Sequence, residues 1–358
     1  MNEKPIVYVA LSGGVDSAVT AFRLLNEGYQ VSGIFMRTWK DPKWMGAVED
    51  SAKPEILAAE VADFLGIPFI CLDVRDKFFQ AVVSNFVQEY VQGKTPNPCL
   101  FCNPQVKWGM LQSYALRQGA NFFATGHYAR IEAVSNSQVR LLRGVDPNKD
   151  QSYVLSMLTQ SQLRKSLLPL GGMTKKDVRA QADALNLPVA DRQDSQDLCF
   201  LGDVDYRDFL KRYAPEVTAP GEIINTEGKI LGKHEGLAFY TIGQRKGIRI
   251  AAQEPYYVVD KDTHNNRLIV GFSKHAVKSN LFAVQPNWIA GEPPHVGQMY
   301  DVMVRYRAQP VPALLNLASE DEFRLELSQP LRGTTPGQVA VLYQGEVCLG
   351  GGIIEDVY

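Results

Sequence analysis

Between Pro5 and Leu11 the chain is apolar and rich in β-branched residues, which predicts a strand. Ser12 to Ser17 is a polar, glycine-containing turn, and Ala18 to Glu27 has helical periodicity that stops at Gly28. The pattern then recurs. Gln30 to Met36 reads as a strand, about Pro54 to Leu65 as a helix closed by Gly66, and Ile67 to Asp73 as another strand. A long amphipathic helix is expected over roughly Lys77 to Gln92, ended by Gly93. The loop Thr95-Pro96-Asn97-Pro98 precedes a helix from about Val106 to Arg117 and a strand at Asn121 to Thr125. Strand–helix alternation of this kind predicts an α/β fold, a parallel sheet with helices on both faces, whose ligands sit at the carboxyl ends of the strands.

The pattern changes after about residue 160. Thr174 to Asn186 and Asp205 to Tyr213 read as helices of a small connecting domain. Beyond Pro220 the helical signal gives way to short alternating segments, such as Tyr256 to Asp260, Arg267 to Val270, Asp301 to Tyr306 and Gln338 to Tyr343, with Gly and Pro between them. The expectation is an all-β domain, a small barrel. This divides the chain into residues 1–160, 161–216 and 217–358, with no internal repeat and no low-complexity segment.

Length and composition fit that division. A chain of 358 residues exceeds one ordinary core, and 45% hydrophobic with 21% charged residues is a globular balance. No apolar run approaches bilayer length, and the first residues lack a signal h-region and cleavage site, so a cytoplasmic protein with no membrane partner is expected. Five cysteines are too few for a disulfide scaffold of this size and read as core fillers, metal ligands or reactive thiols. The net charge of −2 does not favour nucleic acid, although Lys175-Lys176, Arg207 with Lys211-Arg212, Arg245-Lys246 with Arg249, and Arg305 with Arg307 are cationic islands. Singly each reads as a solvated face; together they permit an RNA footprint without arguing for one.

Chemistry enters with Ser12-Gly13-Gly14-Val15-Asp16-Ser17, at the first strand–helix junction. Its glycines let the backbone present bare N–H groups, and the following helix aims its positive end at the same spot. Serine hydroxyls can donate to phosphate and Asp16 can help place Mg²⁺, whereas the lysine of a Walker A motif is missing. Glycine–serine turns after strands are common; the complete hexapeptide at this junction is far more specific.

The loop resembles the PP-loop signature of ATP pyrophosphatases, which cleave ATP between the α- and β-phosphates and adenylate a substrate oxygen. Further motifs extend the likeness: Thr95-Pro-Asn-Pro with Cys102-Asn103, Ala124-Thr-Gly-His-Tyr-Ala129, Lys149-Asp-Gln-Ser-Tyr153, Asp194-Ser195 with Cys199-Phe200, Thr241-Ile-Gly-Gln-Arg-Lys-Gly247, Arg305-Tyr-Arg307, Thr335-Pro-Gly-Gln338 and Gly345-Glu-Val-Cys-Leu-Gly-Gly-Gly352. Over nearly its whole length the chain resembles the tRNA-specific 2-thiouridylases. The resemblance implies a PP-loop domain of adenine nucleotide α-hydrolase type over residues 1–160, and an ATP site formed by Ala10, Leu11, Ser12, Gly13, Gly14, Val15, Asp16 and Ser17 with Met36 and Gly126. The implied reaction adenylates the C2 oxygen of a wobble uridine, turning a poor leaving group into AMP, and replaces it with sulfur.

Activated sulfur can travel as a persulfide on one thiolate and be released by a second. By resemblance Cys199, in the 161–216 segment, is the carrier and Cys102 the second catalytic cysteine; they lie 97 positions apart on different predicted loops. Cys71, in an apolar strand, and Cys348, beside a glycine run, read as buried fillers. Cys99 stands where many family members carry Asp, giving Cys99-Leu-Phe-Cys102. A lone C-x-x-C leaves a second option open, in which Cys99, Cys102 and Cys199 ligate an iron–sulfur cluster with one open iron; the persulfide route is the preferred expectation. Pro104 in place of Lys, and the loss of a cysteine-acidic stretch around Trp44 to Ser51, are further departures.

For RNA, the resemblance implies that Asn97, Pro98 and Cys99 touch a splayed target base, and that His127, Lys149, Asp150, Gln151, Arg305, Tyr306 and Gln338 contact tRNA. Lys149, Arg305 and Arg307 can neutralise phosphates and Tyr306 offers a stacking face; as residue types alone, Arg-Tyr-Arg is ordinary β surface and His127 fits a core position. The implied partners are the tRNAs for Glu, Gln and Lys and a cysteine desulfurase or sulfur-relay protein. Two other classes are weaker. An amidating PP-loop synthetase has no use for Cys102 and Cys199, and a catalytically dead RNA-binding module has no use for an intact phosphate loop.

Overall fold

The computed structural model describes residues 4–41, 48–135, 137–193, 198–202 and 204–358. Trp44 and its neighbours to residue 47, and Asp194, Ser195 and Asp197, lie outside the described residues.

Five parallel strands make the first sheet, in the order β3-β2-β1-β4-β7: β1 (Ile6–Ala10), β2 (Gln30–Arg37), β3 (Phe69–Asp73), β4 (Phe122–Ala124) and β7 (Ser166–Leu167). Both faces of β1 are covered. Val7 and Val9 pack with Ala18, Val19 and Leu24 of helix α1 (Val15–Asn26) and with Val178, while Tyr8 joins Ile34, Phe78 and Phe123 in the core on the opposite face. Strand order reverses between β1 and β4, so their following loops open into one crevice, the place where α/β sheets bind ligands.

Several elements depart from the sequence expectation for identifiable reasons. Helix α2 (Val48–Leu65) begins ahead of Pro54 and contains it. The helix expected from Val106 starts at Cys99, because Pro98 is already in helical conformation and the Cys102 N–H donates to its carbonyl over 2.9 Å. Cys102 is therefore on a helix rather than a loop. That helix covers residues 99–117 and is wound as a π-helix over Asn103–Gln112. The strand expected over Asp301 to Tyr306 ends at Met303, so Arg305, Tyr306 and Arg307 occupy a turn in which Arg307 takes φ +60°.

Beyond Pro220 the strands divide between two sheets. Gly221–Asn225, Ile230–His234, Tyr257–Asp262 and Arg267–Gly271 form a four-stranded unit, its first and last strands paired in parallel. Among the described residues, six antiparallel strands between Val277 and Val357 then close into a barrel, the strand Val277–Trp288 pairing with both Glu322–Arg332 and Val347–Val357. Alternation places Leu281, Ala283, Leu325 and Phe323 inside. An unanticipated hairpin, β5 (Ala129–Ala133) and β6 (Val139–Arg143), leaves the first domain and extends the barrel sheet, with Leu141 opposite Cys348. The barrel also grips the first domain through the Tyr153 hydroxyl, which donates to the Val339 carbonyl over 2.9 Å, and through the Asn287 amide, which donates to the Ser156 and Leu158 carbonyls.

Candidate active site

The phosphate loop is tightly determined. Gly13 has φ +69°, and a Cβ there would collide with the Pro54 carbonyl, so the position takes only glycine. The Ser12 N–H donates to Ser17 Oγ over 3.1 Å, and Ser17 Oγ donates to the Gly14 carbonyl over 2.9 Å. Arg192 reaches across to hydrogen-bond the Gly13 carbonyl. Opposite, Gly126 lies so close to α1 that a Cβ would be 3.0 Å from the Asp16 carbonyl carbon, which brings the β4 loop against the phosphate loop. Met36, near the carboxyl end of β2, pairs with Leu72 of β3.

Asp16 is the polar centre of this crevice. Its Oδ1 accepts from the Tyr128 hydroxyl and from Lys175 Nζ, each over 2.7 Å. Lys175 begins a helix (Lys175–Ala184) capped by Thr174 and Asp177. As a residue type Lys175 reads as a surface charge; its proximity to Asp16 comes only from packing that helix on α1.

A second opening lies beside the cysteines. A cleft of about 630 Å³ is lined by Pro96, Asn97, Pro98, Leu198, Leu201, Tyr206 and Gln338 among others. Cys99 is exposed at its helix start, and Cys102, a turn further on, is buried. Phe200, packed against Phe78, Phe86 and Phe209, anchors the segment carrying Cys199. Burial pushes the Cys102 thiol up to about 12, opposed by the Lys107 ammonium and reinforced by Cys199 and Cys99. Cys199 is exposed over part of its surface, yet the protein around its sulfur pushes that thiol up to about 11, with Cys99 adding and Lys107 and Lys40 opposing. The three cysteines thus share one electrostatic neighbourhood, and all are free thiols. Cys71 and Cys348, the expected fillers, lie respectively half-buried on β3 and fully buried in the barrel.

Positions expected to meet RNA divide by exposure. Arg305 and Arg307 are exposed, with the Arg307 guanidinium 5.2 Å from the Tyr306 ring centre and the Tyr306 ring 6.1 Å from Tyr153. Gly243 and Gly333 pass in near-contact and Arg305 Nη1 lies over Gly333, so the exposed Arg245-Lys246 pair shares that region. Other positions are tied into the framework. Asp150 accepts from the N–H groups of Gly144 and Ser152, Gln151 Oε1 accepts from the Tyr128 N–H, and the Lys149 N–H donates to the Asp146 carbonyl. Gln338 donates to the Thr95 carbonyl over 2.8 Å. His127 is buried on Trp108, with Nδ1 2.7 Å from Thr125 Oγ1 and Nε2 3.4 Å from Lys107 Nζ. Burial, and secondarily Lys107, hold its imidazole well below the usual range, so it is neutral.

Comparison with known proteins follows this layout. Family models described as tRNA methyl transferase HUP domain, tRNA methyl transferase PRC-barrel domain and aminomethyltransferase beta-barrel domain match residues 5–203, 207–272 and 278–354. The chain is 42% identical over 354 residues to the tRNA-specific 2-thiouridylase MnmA 1 of Caldanaerobacter subterraneus subsp. tengcongensis, covering 98% of this chain and 97% of the relative. It is 42% identical over 364 residues to tRNA-specific 2-thiouridylase MnmA of Cupriavidus metallidurans, covering 99% and 100%. The chain belongs to the tRNA-specific 2-thiouridylase family. The MnmA of Carboxydothermus hydrogenoformans, at 42% over 359 residues, is similar along the same span. The similarity to these relatives runs through the segments that line both openings described above.

Proposed function

We propose that this protein is an ATP-dependent tRNA-uridine 2-sulfurtransferase. The observation that carries the reading is the pairing of a phosphate cradle with the free thiols of Cys102 and Cys199, both acted on by Cys99 and Lys107 beside the Pro96–Pro98 cleft. Methyl transfer, the word in two of the matching family descriptions, gives neither thiol a role.

In this reading Ala10 to Ser17, with Met36 and Gly126, hold ATP, and backbone N–H groups and the α1 N-terminus take its phosphates. The uridine C2 oxygen attacks the α-phosphate, pyrophosphate leaves, and C2 then carries AMP as a leaving group. Asn97, Pro98 and Cys99 receive the extruded base, and Lys149, Asp150, Gln151, His127, Arg305, Tyr306 and Gln338 form or support the tRNA surface. The Cys199 thiolate attacks the outer sulfur of a donor persulfide, breaking the donor S–S bond and expelling the donor thiolate. Cys102 thiolate next attacks the inner sulfur of the Cys199 persulfide. This forms a Cys102–Cys199 disulfide and releases hydrosulfide, which displaces AMP from C2. A dithiol reductant must then supply two electrons to restore both thiols.

Mg²⁺ commonly takes one or two carboxylates together with substrate phosphates, so Asp16 beside the cradle fits as a ligand. A cluster fits less well: among the described residues no three His, Cys, Asp or Glu side chains converge as metal ligands. In this reading the substrates are the tRNAs for Glu, Gln and Lys, the donor is a cysteine desulfurase or relay protein, the location is the cytoplasm, and the chain divides into units at 1–160, 161–216 and 217–358. Among the described residues no helix is long and apolar enough to cross a membrane.

The test is a reconstitution with ATP, Mg²⁺, a persulfide donor and unmodified tRNA. One 2-thiouridine should form per AMP and pyrophosphate released; AMP formation without dependence on tRNA would overturn the reading.

A further inference from the structure

Both thiols of the proposed relay face the same physical obstacle. Sulfur transfer needs thiolates, while their surroundings favour the protonated forms at neutral pH. One cation acts on both. Lys107 is on the same helix as Cys102, five residues later, within the stretch wound as a π-helix. At 3.6 residues per turn an α-helix would carry a residue five positions on well past alignment; π-winding, with its i→i+5 bonding, brings Lys107 back toward the Cys102 face. His127 fixes the lysine from the other side. Its neutral Nε2 accepts from the Lys107 ammonium at 3.4 Å, which leaves the proton on Nδ1 to be donated to Thr125 Oγ1 at 2.7 Å, and Trp108 holds the ring plane.

We propose that Lys107, steered by His127, is the positioning residue that supplies the positive charge stabilising the Cys102 and Cys199 thiolates during sulfur transfer. The proposal rests on the sulfur-relay reading above. The charged groups acting on these thiols are Lys107, Cys99 and Cys199 for Cys102, and Cys99, Lys107 and Lys40 for Cys199. Of these, Cys99 and Lys107 act on both thiols; Lys107 is the cation that favours the thiolate at each, and it has no part in carrying sulfur. Its charge lowers the cost of the two attacking thiolates, and Lys40 assists at Cys199 alone.

The experiment measures iodoacetamide alkylation of each cysteine by peptide mass spectrometry across pH, in the parent protein and in Lys107→Met, Lys107→Arg and His127→Gln variants. Lys107→Met should slow alkylation at Cys102 and Cys199 about tenfold near neutral pH and move both pH–rate curves upward by about one unit. Cys71 and Cys348 serve as internal references, and ATP affinity verifies the fold. Lys107→Arg should restore most of the rate, and His127→Gln should fall between. Unchanged Cys102 and Cys199 curves in a Lys107→Met protein that binds ATP normally would overturn the proposal. The relay has its own arm: if Cys199→Ser still blocks thiolation in that case, the relay stands without Lys107, whereas full thiolation by Cys199→Ser removes the relay itself.

Discussion

Lys175 Nζ and Asp16 Oδ1 stand 2.7 Å apart although 159 residues separate them in sequence. The contact seats a cation at the edge of the phosphate loop, where it balances Asp16 and lies within reach of a bound phosphate. Lys175→Met should weaken ATP binding by about 10- to 100-fold, the scale of one charged hydrogen bond, and leave tRNA affinity unchanged. Calorimetric titration of ATP into the two proteins checks this; equal dissociation constants would confine Lys175 to a structural role.

Gln338 links the barrel to the loop that precedes the cysteine helix, its amide donating to the Thr95 carbonyl while the Thr95 N–H donates to the Pro336 carbonyl. Removing the side chain should cost about 1 kcal/mol of stability and raise the KM for tRNA, because Asn97 and Pro98 lose part of their support. ATP binding should not change. Thermal melting and steady-state thiolation read the two effects separately, and an unaltered KM would show that the loop holds its shape unaided.

Arg305 gives an electrostatic expectation. It is exposed in a turn beside Gly333, not part of a strand. Arg305→Ala should weaken tRNA binding and reduce the slope of log K against log salt by about one, as expected for a phosphate contact. Filter binding over a salt series measures both; an identical slope would remove Arg305 from the RNA surface.

Glu89 carries a pH signature. It is buried with Oε2 unpartnered among the described residues, and burial raises its carboxyl to about 7 against the opposing Lys94 charge. A raised carboxyl means the folded state holds its proton more tightly than the unfolded chain. This contribution to stability is full below the ordinary carboxylate range and is lost as pH rises toward 7. Glu89→Gln should therefore flatten the fall in melting temperature over that interval and make the protein more stable by about 1–3 kcal/mol above it. A parallel pH profile in the variant would rule out Glu89 as the source.

Much of this site was legible in sequence because its information is local. Ser12 to Ser17 announces its turn through glycines and hydroxyls at a strand–helix junction, and the alternation around it specifies a parallel sheet. The site cysteines were legible through the family motifs around them, and Cys71 and Cys348 through the apolar strand and the glycine run in which they sit. What sequence did not disclose is non-local. Lys175 resembles any surface lysine until its helix packs on α1. The β5–β6 hairpin completes its pairing only on a strand more than 200 residues later. The start of the cysteine helix at Cys99 was hidden because the two prolines of the preceding loop read as breakers, whereas Pro98 leads directly into the helix. Asp150, Gln151 and Gln338 show the converse: residues named for RNA contact have their side chains engaged in holding loops together.

The most direct test of the account is the fate of sulfur on Cys199. The Cys102→Ser and Cys199→Ser proteins are each incubated with a persulfide-loaded cysteine desulfurase, then with ATP and tRNA, and followed by intact-protein mass and nucleoside analysis. The account expects Cys102→Ser to gain one sulfur atom on Cys199 and stall, and Cys199→Ser to gain none there and make no 2-thiouridine, while both still release pyrophosphate on adenylating tRNA. Normal 2-thiouridine formation by the Cys199→Ser protein with the same donor would contradict it.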